Sequence, residues 1–277
     1  MISPVRGAAI AIALAYGNFG CTIPSSLAPQ IGGSMGMTHR GYLWNGEELA
    51  ARGDGYAFLR DNGRHFALAR FADAIAAAAV EVDREASPST LVIGDLSAKH
   101  GGAIMPHLSH RNGRDADLVL FATTLDGAHV ESPGFIHFGA DGLALDPKSH
   151  RFLRFDVERE WLLVKTLIEN PEARIQWMFC NHAIEALLIE WARARGEPDE
   201  IVWRAEQLLL EPHPGGAHDD HIHVRTACDA NDIAAGCIPF GPERPWLSLA
   251  PPPRLPDDAD LARALLEPLP ASEASTN

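Results

Sequence analysis

The order of apolar and polar residues divides the chain into short segments of differing period. From His65 to Ala86, apolar side chains recur at Phe66, Ala69, Ile75, Ala79 and Val82. Spacings of three and four residues put them on one face of a helix, which Ser87-Pro88 ends. Thr90–Asp95 (TLVIGD) and Asp117–Ala122 (DLVLFA) are apolar runs of strand length. Asp156 reads as the N-cap of a helix through Leu167, with Glu158 and Glu160 in first turns that favour carboxylates. Arg174–Phe179 reads as a strand, Ala183–Arg195 and Asp199–Leu210 as helices. His221–Ala227 (HIHVRTA) alternates and predicts a further strand. No fixed-period repeat is present, and strands and helices mix without regular βαβ alternation. The expectation is an α+β fold with a small central antiparallel sheet flanked by helices.

Both ends break this pattern. Arg6 precedes a short apolar run, Ala8 to Ala15, and Ala13-Leu14-Ala15 fits a small-residue cleavage site. Residues 1–35 are therefore read as an N-terminal segment carrying an export signal, with a lipoprotein reading at Gly20-Cys21 as the alternative. The run is far too short to span a bilayer, and no later stretch is a candidate membrane-spanning segment. Nine of the 20 prolines fall from Pro239 onward. Missing donors at that density do not suit a packed interior, so 251–277 is read as a Pro-rich tail with a short helix at Asp257–Glu267. Residues 36–250 remain as the folded domain.

Composition narrows the classes. At 46% hydrophobic and 22% charged, the 277 residues are globular material. The 23 Lys and Arg against 37 Asp and Glu give a net charge of −14, which argues against nucleic acid or anionic lipid as a partner. None of the four cysteines forms a C-x-x-C pair, so a thiolate metal site is not expected. Cys228 and Cys237 flank a short loop that a disulfide could close, as an oxidising compartment would allow; free thiols are the alternative.

The chain has 13 histidines against 3 tyrosines. Five of the 13 lie in two short motifs, Met105–Asp117 (MPHLSHRNGRDAD) and His218–Arg225 (HDDHIHVR). On a strand, residues i and i+2 share a face, so His221 and His223 project together, as do Asp115 and Asp117. Gly113 allows a sharp turn that would return His110 towards Asp117. If the two strands are neighbours, His110, Asp117 and His223 converge into a three-ligand site with an open position, which is the catalytic rather than the structural type. His39, His65, His129, His137, His150, His182 and His213 stand alone and are left as surface or core residues. Asp95 and Lys99, near a Gly-Asp-Leu-Ser turn, could reach a cleft but are read as turn or cap residues.

Ser109–Asp117 (SHRNGRDAD) together with His218–Arg225 resembles the penicillin-insensitive murein endopeptidase family, within the wider group of lysostaphin-like, D-alanyl-D-alanine and hedgehog-type zinc peptidases. Gly94–Ser97, Gly101-Gly102, Met105-Pro106 and Cys228 support the likeness, which runs from about Met37 to Trp246. The resemblance implies one Zn2+ per chain, held by His110, Asp117 and His223, with 36–250 as a metallopeptidase domain. It implies that His221 stays off the metal, and that His218 is a further active-site histidine. Either would handle the proton. His107 and Asp115 are expected beside the ligands. The implied substrate is the peptidoglycan stem-peptide cross-link, D-Ala to meso-diaminopimelate, and the implied location is the periplasm or another exported site. Nothing in the sequence speaks to oligomeric state.

Two other readings fit part of the pattern. A two-histidine, one-carboxylate set also holds non-haem Fe(II), although the first histidine and the acid are usually closer in sequence there. A non-catalytic wall-binding module could keep the fold, but intact His218 and His221 argue against it. The −14 charge also sits awkwardly with an acidic substrate. Arg111, Arg114 and Arg225 flank the motifs, and are expected to meet substrate carboxylates locally or to pair with nearby aspartates.

Overall fold

Three strands whose side chains alternate between the apolar core and the opposite face position the chemistry. In Asp115–Val119 and His221–Thr226, Ala116, Leu118, Ile222 and Val224 turn into the core, so the residues between them face the other way. In Ile175–Phe179, Met178 is buried while Trp177 and Phe179 on either side lie half-buried on that opposite face.

The computed structural model describes residues 33–212 and 216–247. Residues 1–32 of the N-terminal segment, with the expected export signal, His213 and the Pro-rich tail lie outside the described residues, while 33–35 belong to the first strand. The described chain opens with an antiparallel hairpin, β1 (Gly33–Met37) and β2 (Arg40–Trp44). A seven-stranded sheet follows: β3 (Arg52–Gly53), β4 (Tyr56–Phe58), β5 (Leu91–Ile93), β6 (Asp115–Val119), β7 (Ile175–Phe179), β8 (Leu209–Leu210) and β9 (His221–Thr226). Its order is β8-β7-β9-β6-β5-β4-β3. The middle of the sheet, β7-β9-β6-β5, is antiparallel as expected. The sheet as a whole is mixed, because β8 pairs parallel with β7 and β4 parallel with β5. A smaller antiparallel sheet joins Ala122–Thr123, Leu143–Asp146 and Arg151–Phe155.

Helices cover the core face. Helix α1 (Ala69–Glu85) buries Phe71, Ala74, Ile75, Ala78 and Val82, its remaining positions rich in alanine, the best helix former. It begins later than the periodicity predicts, because Phe66–Ala67 pairs with Glu47–Glu48 and Phe66 also bonds to Ser97. Helix α2 (Val157–Glu169) is capped by Asp156 as predicted, the side chain accepting from the Arg159 amide. Helix α3 (His182–Arg195) starts at an Asn181 cap and ends at Gly196 in the left-handed region. Helix α4 (Asp199–Leu208) stops short of Leu210, because Leu209–Leu210 is drawn into the sheet as β8. Among the described residues no helix is long and apolar enough to cross a membrane.

The expected disulfide is present: Cys228 and Cys237 are bonded across helix α5 (Ala230–Ala234). The closed loop ties back to β1, with the Gly36 amide donating to the Gly236 carbonyl and the Ile238 amide to the Gly36 carbonyl. Arg70 reinforces it by reaching Asp232 (2.7 Å) and Asp229 (3.4 Å).

Glu160 departs from expectation. It does not serve the helix dipole from the surface but is fully buried, one carboxylate oxygen accepting from the Phe121 amide and the other without a partner among the described residues. Burial pushes its carboxyl up to about 8.

Two outcomes follow for stability. The folded state holds the Glu160 proton where the unfolded chain has lost it, so this contribution is complete below the usual 4.5 and is lost as pH rises to about 8. Glu160→Gln should gain stability relative to the wild type across that window, by at most roughly 5 kcal/mol, in denaturant titrations at several pH values. Cys228→Ser should lower stability by about 2–3 kcal/mol, the difference disappearing when both proteins are melted under reductant.

Candidate active site

The register between β9 and β6 sets the site. His223 lies opposite Asp117 and Arg225 opposite Asp115, while Phe179 and Trp177 of β7 continue the two rows. Phe179 packs 5.7 Å from His223 between ring centroids. Arg225 sits 5.5 Å over Trp177 and donates from Nε to Asp115 Oδ1 at 2.5 Å.

His110 arrives from the loop before β6. It adopts a left-handed backbone (φ 61°), uncommon for a side chain branched into a ring and found where surrounding contacts impose it. The imposing contact is Asp115, whose Oδ2 accepts the His110 amide at 2.9 Å. Gly113, at φ 77°, makes the expected turn; a Cβ there would meet Leu43 at 2.6 Å. His110 Nε2 is thereby brought 3.1 Å from Asp117 Oδ1, and His223 Nδ1 reaches the same oxygen, also at 3.1 Å.

Around this pair stand three more imidazoles. His221 Nε2 is 3.4 Å from Asp117 Oδ1, and His107 Nδ1 is 3.5 Å from Asp117 Oδ2. The His218 ring lies 4.9 Å from that of His221. Two groups of potential ligand atoms result, His107-His110-Asp117 and His218-His221-His223, each within 4.8 Å. They meet at Asp117.

Each outer nitrogen faces an oxygen of the fold. His110 Nδ1 faces the Leu96 carbonyl (3.2 Å), His223 Nε2 faces Asp115 (3.0 Å), and His221 Nδ1 faces Asp220 (2.5 Å). His107 Nε2 faces Asp95 (2.8 Å) and His218 Nδ1 the Gly216 carbonyl (2.7 Å). Each of these partners accepts only, and so does Asp117 on the inner side. A charged ring satisfies both sides by donating from both nitrogens; a neutral ring that keeps its proton on the outer nitrogen turns a lone pair inward, where a metal ion beside the Asp117 oxygen would meet it.

The field of the site favours positive charge at the same place. Burial works against ionisation of Asp117, yet His110, His221 and His223 hold its carboxyl well below the usual range. Asp115 is likewise held down against burial by Arg225, His223 and His110. Burial lowers His221 and His223, but the aspartates beside them win: His223 is raised and His221 reaches about 9. His218 moves the other way, lowered by burial.

The chemistry of the donors fits a single metal ion. Two imidazole nitrogens and one carboxylate oxygen are a three-ligand set, and donors around tetrahedral zinc lie about 3.3 Å apart. The 3.1 Å separations of His110 and His223 from Asp117 lie near that figure, as do the 3.4 and 3.5 Å separations of His221 and His107. His110 and His223 are the more buried of the five imidazoles, whereas His221, His218 and His107 are more open to the cleft.

Not every residue singled out by sequence joins them. Arg114 is the correction. It immediately precedes β6 with the parity of Ala116 and Leu118, is 1% exposed, and spends its guanidinium on the Thr226 carbonyl, Gln176 and Cys237. It is a core residue and cannot meet a substrate. Arg111 is half-buried, its Nε without a partner among the described residues. Asp95, read as a turn residue, is instead a fully buried carboxylate against His107. Its place beside the Gly94–Ser97 signature was the available signal. Gly94 is needed here, since a Cβ would lie 2.5 Å from Phe135, whose ring packs edge-on to His221 at 5.4 Å. His137 is not alone either; its Nδ1 is 2.7 Å from Asp219, next to the site. No sequence pattern announces that contact, because the chain between them is long.

Fold and donor set together define a mixed α+β protein whose sheet presents a His/His/Asp cluster able to hold a metal ion. The family model for penicillin-insensitive murein endopeptidase matches residues 34–240, and the chain belongs to that family. The membership supports a hydrolase that cleaves murein peptides and acts on the cell wall. No curated protein matches the chain significantly.

Asp115 is the joint between the loop and strand donors. Asp115→Asn should weaken metal binding about 10- to 100-fold, measured by competition with a chelating dye, with an unchanged far-ultraviolet circular dichroism spectrum.

Proposed function

We propose that the protein is a zinc-dependent endopeptidase of peptidoglycan, cutting the D-Ala to meso-diaminopimelate cross-link outside the cytoplasm. The observation that carries this reading is the convergence of His110 Nε2, His223 Nδ1 and Asp117 Oδ1 beside imidazoles left free of the shared oxygen's closest shell. Family membership supports the substrate, and the disulfide supports an exported protein.

In this reading His110, Asp117 and His223 hold the metal. Bound there, zinc would supply Lewis acidity, polarising the scissile carbonyl and acidifying water. The protein's own groups do the rest. Asp115 fixes the His223 ring and the His110 backbone. His221, its Nδ1 against Asp220, would use Nε2 to accept the proton of an attacking water and return it to the leaving amine once the metal engages Asp117, one of the two carboxylates that raise this imidazole. His218, 4.9 Å away between ring centroids, shares that transfer. Phe135 walls the cleft against His221 and limits water beside it.

Digestion of purified cross-linked sacculi, with products separated by mass, tests the reading. Dimers should become monomers in the presence of penicillin, and a zinc chelator should stop the conversion. His110→Ala and His223→Ala should lose the metal, whereas His221→Ala should keep it and lose turnover. Release of metal by His221→Ala would overturn the ligand assignment. Wall pelleting without cleavage by the zinc-loaded protein would favour a binding module, and iron with oxygen-dependent turnover an oxygenase.

A further inference from the structure

Asp95 gathers more donors than one carboxylate needs. Its Oδ1 accepts from Asn62 at 2.7 Å, and its Oδ2 takes His107 at 2.8 Å and Arg64 at 3.1 Å. Arg60 Nη2 is a fourth and longer contact at 3.4 Å. A carboxylate oxygen offers about two lone-pair sites, so Arg60 adds little to the neutralisation of Asp95. Two guanidiniums thus face the one carboxylate of Asp95, and Arg60 is the more weakly held of them.

The two arginines are not equivalent. Arg64 also donates to the Met105 carbonyl at 2.6 Å and its side chain is 23% exposed. Arg60 makes the single contact to Asp95, and its side chain is 53% exposed. Its guanidinium lies 5.8 Å from the centre of Phe135, the ring that packs against His221. The Arg60 guanidinium therefore stands one aromatic ring away from the proposed proton carrier. Its backbone is fixed as well, because the Arg60 carbonyl accepts from His65 Nε2 at 3.0 Å and the neighbouring Leu59 amide bonds to the Ile93 carbonyl.

A guanidinium backed by a buried carboxylate, seated on an aromatic edge of the cleft and holding free donors, is built for a planar anion. Of the three arginines expected for this task, Arg114 is engaged in the core and Arg225 on Asp115, and Arg111 is half-buried with its Nε unpartnered among the described residues. We propose that Arg60, supported by Asp95 and Phe135, is the subsite for a free carboxylate of the substrate peptide and gives the enzyme a preference for free-acid over amidated stem peptides. This rests on the murein endopeptidase reading and adds a specificity residue to it. It also answers how a chain of charge −14 accommodates an acidic substrate: by a local cation.

The test compares the metal-loaded full chain with Arg60→Ala and Arg60→Lys on cross-linked muropeptide dimers, free-acid and amidated. Arg60→Ala should raise KM for the free acid about 10- to 100-fold, the worth of a charge-assisted hydrogen bond. For the amidated dimer KM should hold, and kcat on both should stay within about twofold. Arg60→Lys should recover part of the preference. An equal rise of KM on both dimers, or a fall confined to kcat, would overturn the proposal and make Arg60 a support for Asp95 and His107. If the wild type cleaves neither dimer, it is the endopeptidase reading that fails. Calorimetric binding of the same two dimers to wild type and Arg60→Ala then decides: a free-acid preference abolished by Arg60→Ala supports the subsite, and equal binding of both dimers to the two proteins refutes it.

Discussion

Two buried carboxylates on one face of a single strand govern this structure. Asp115 and Asp117 are removed from water, an arrangement that is strongly unfavourable unless cationic or hydrogen-donating groups surround them. The chain supplies those groups from both directions. Asp115 receives a strand arginine, a strand imidazole and a loop amide, while Asp117 receives imidazoles from loop and strand. Bringing these donors together is inseparable from folding the middle of the sheet. The site is thus a product of the same pairing that buries Leu118, Ile222 and Val224 on the reverse face.

That coupling explains which parts were legible in the sequence. Strand period is two, so H-x-H and D-x-D each announce a shared face, and the pairing of His223 with Asp117 needs only that the strands be neighbours. Helices with strong apolar periodicity were largely readable, since Ile75, Ala79 and Val82 are buried as their spacing implies, although Ala69 is exposed and Phe71 takes its place in the core. Where the reading failed, a tertiary contact outweighed a local preference. Phe66–Ala67 and Leu209–Leu210 left helical patterns to complete sheets. Arg114 looked like a flanking cation from its neighbours in sequence, but its parity with the strand sends it to the core with Gln176.

Asp95 and Arg60 illustrate a different limit. Each is an ordinary charged residue in a turn or after a short strand, and no spacing rule links them. They meet because β4 and β5 run parallel with Phe58 opposite Ile93, which carries the chain after each strand to the same end of the sheet. Contacts of this kind depend on sheet order, and sheet order is not encoded in any one segment.

The outer contacts have a directional consequence. All five imidazoles of the cluster set one ring nitrogen against a carbonyl or carboxylate oxygen of the fold. The orientation of each ring is held by that contact, so its second nitrogen is aimed before any ligand arrives. Little rotational freedom remains to be lost when the rings close on what they bind.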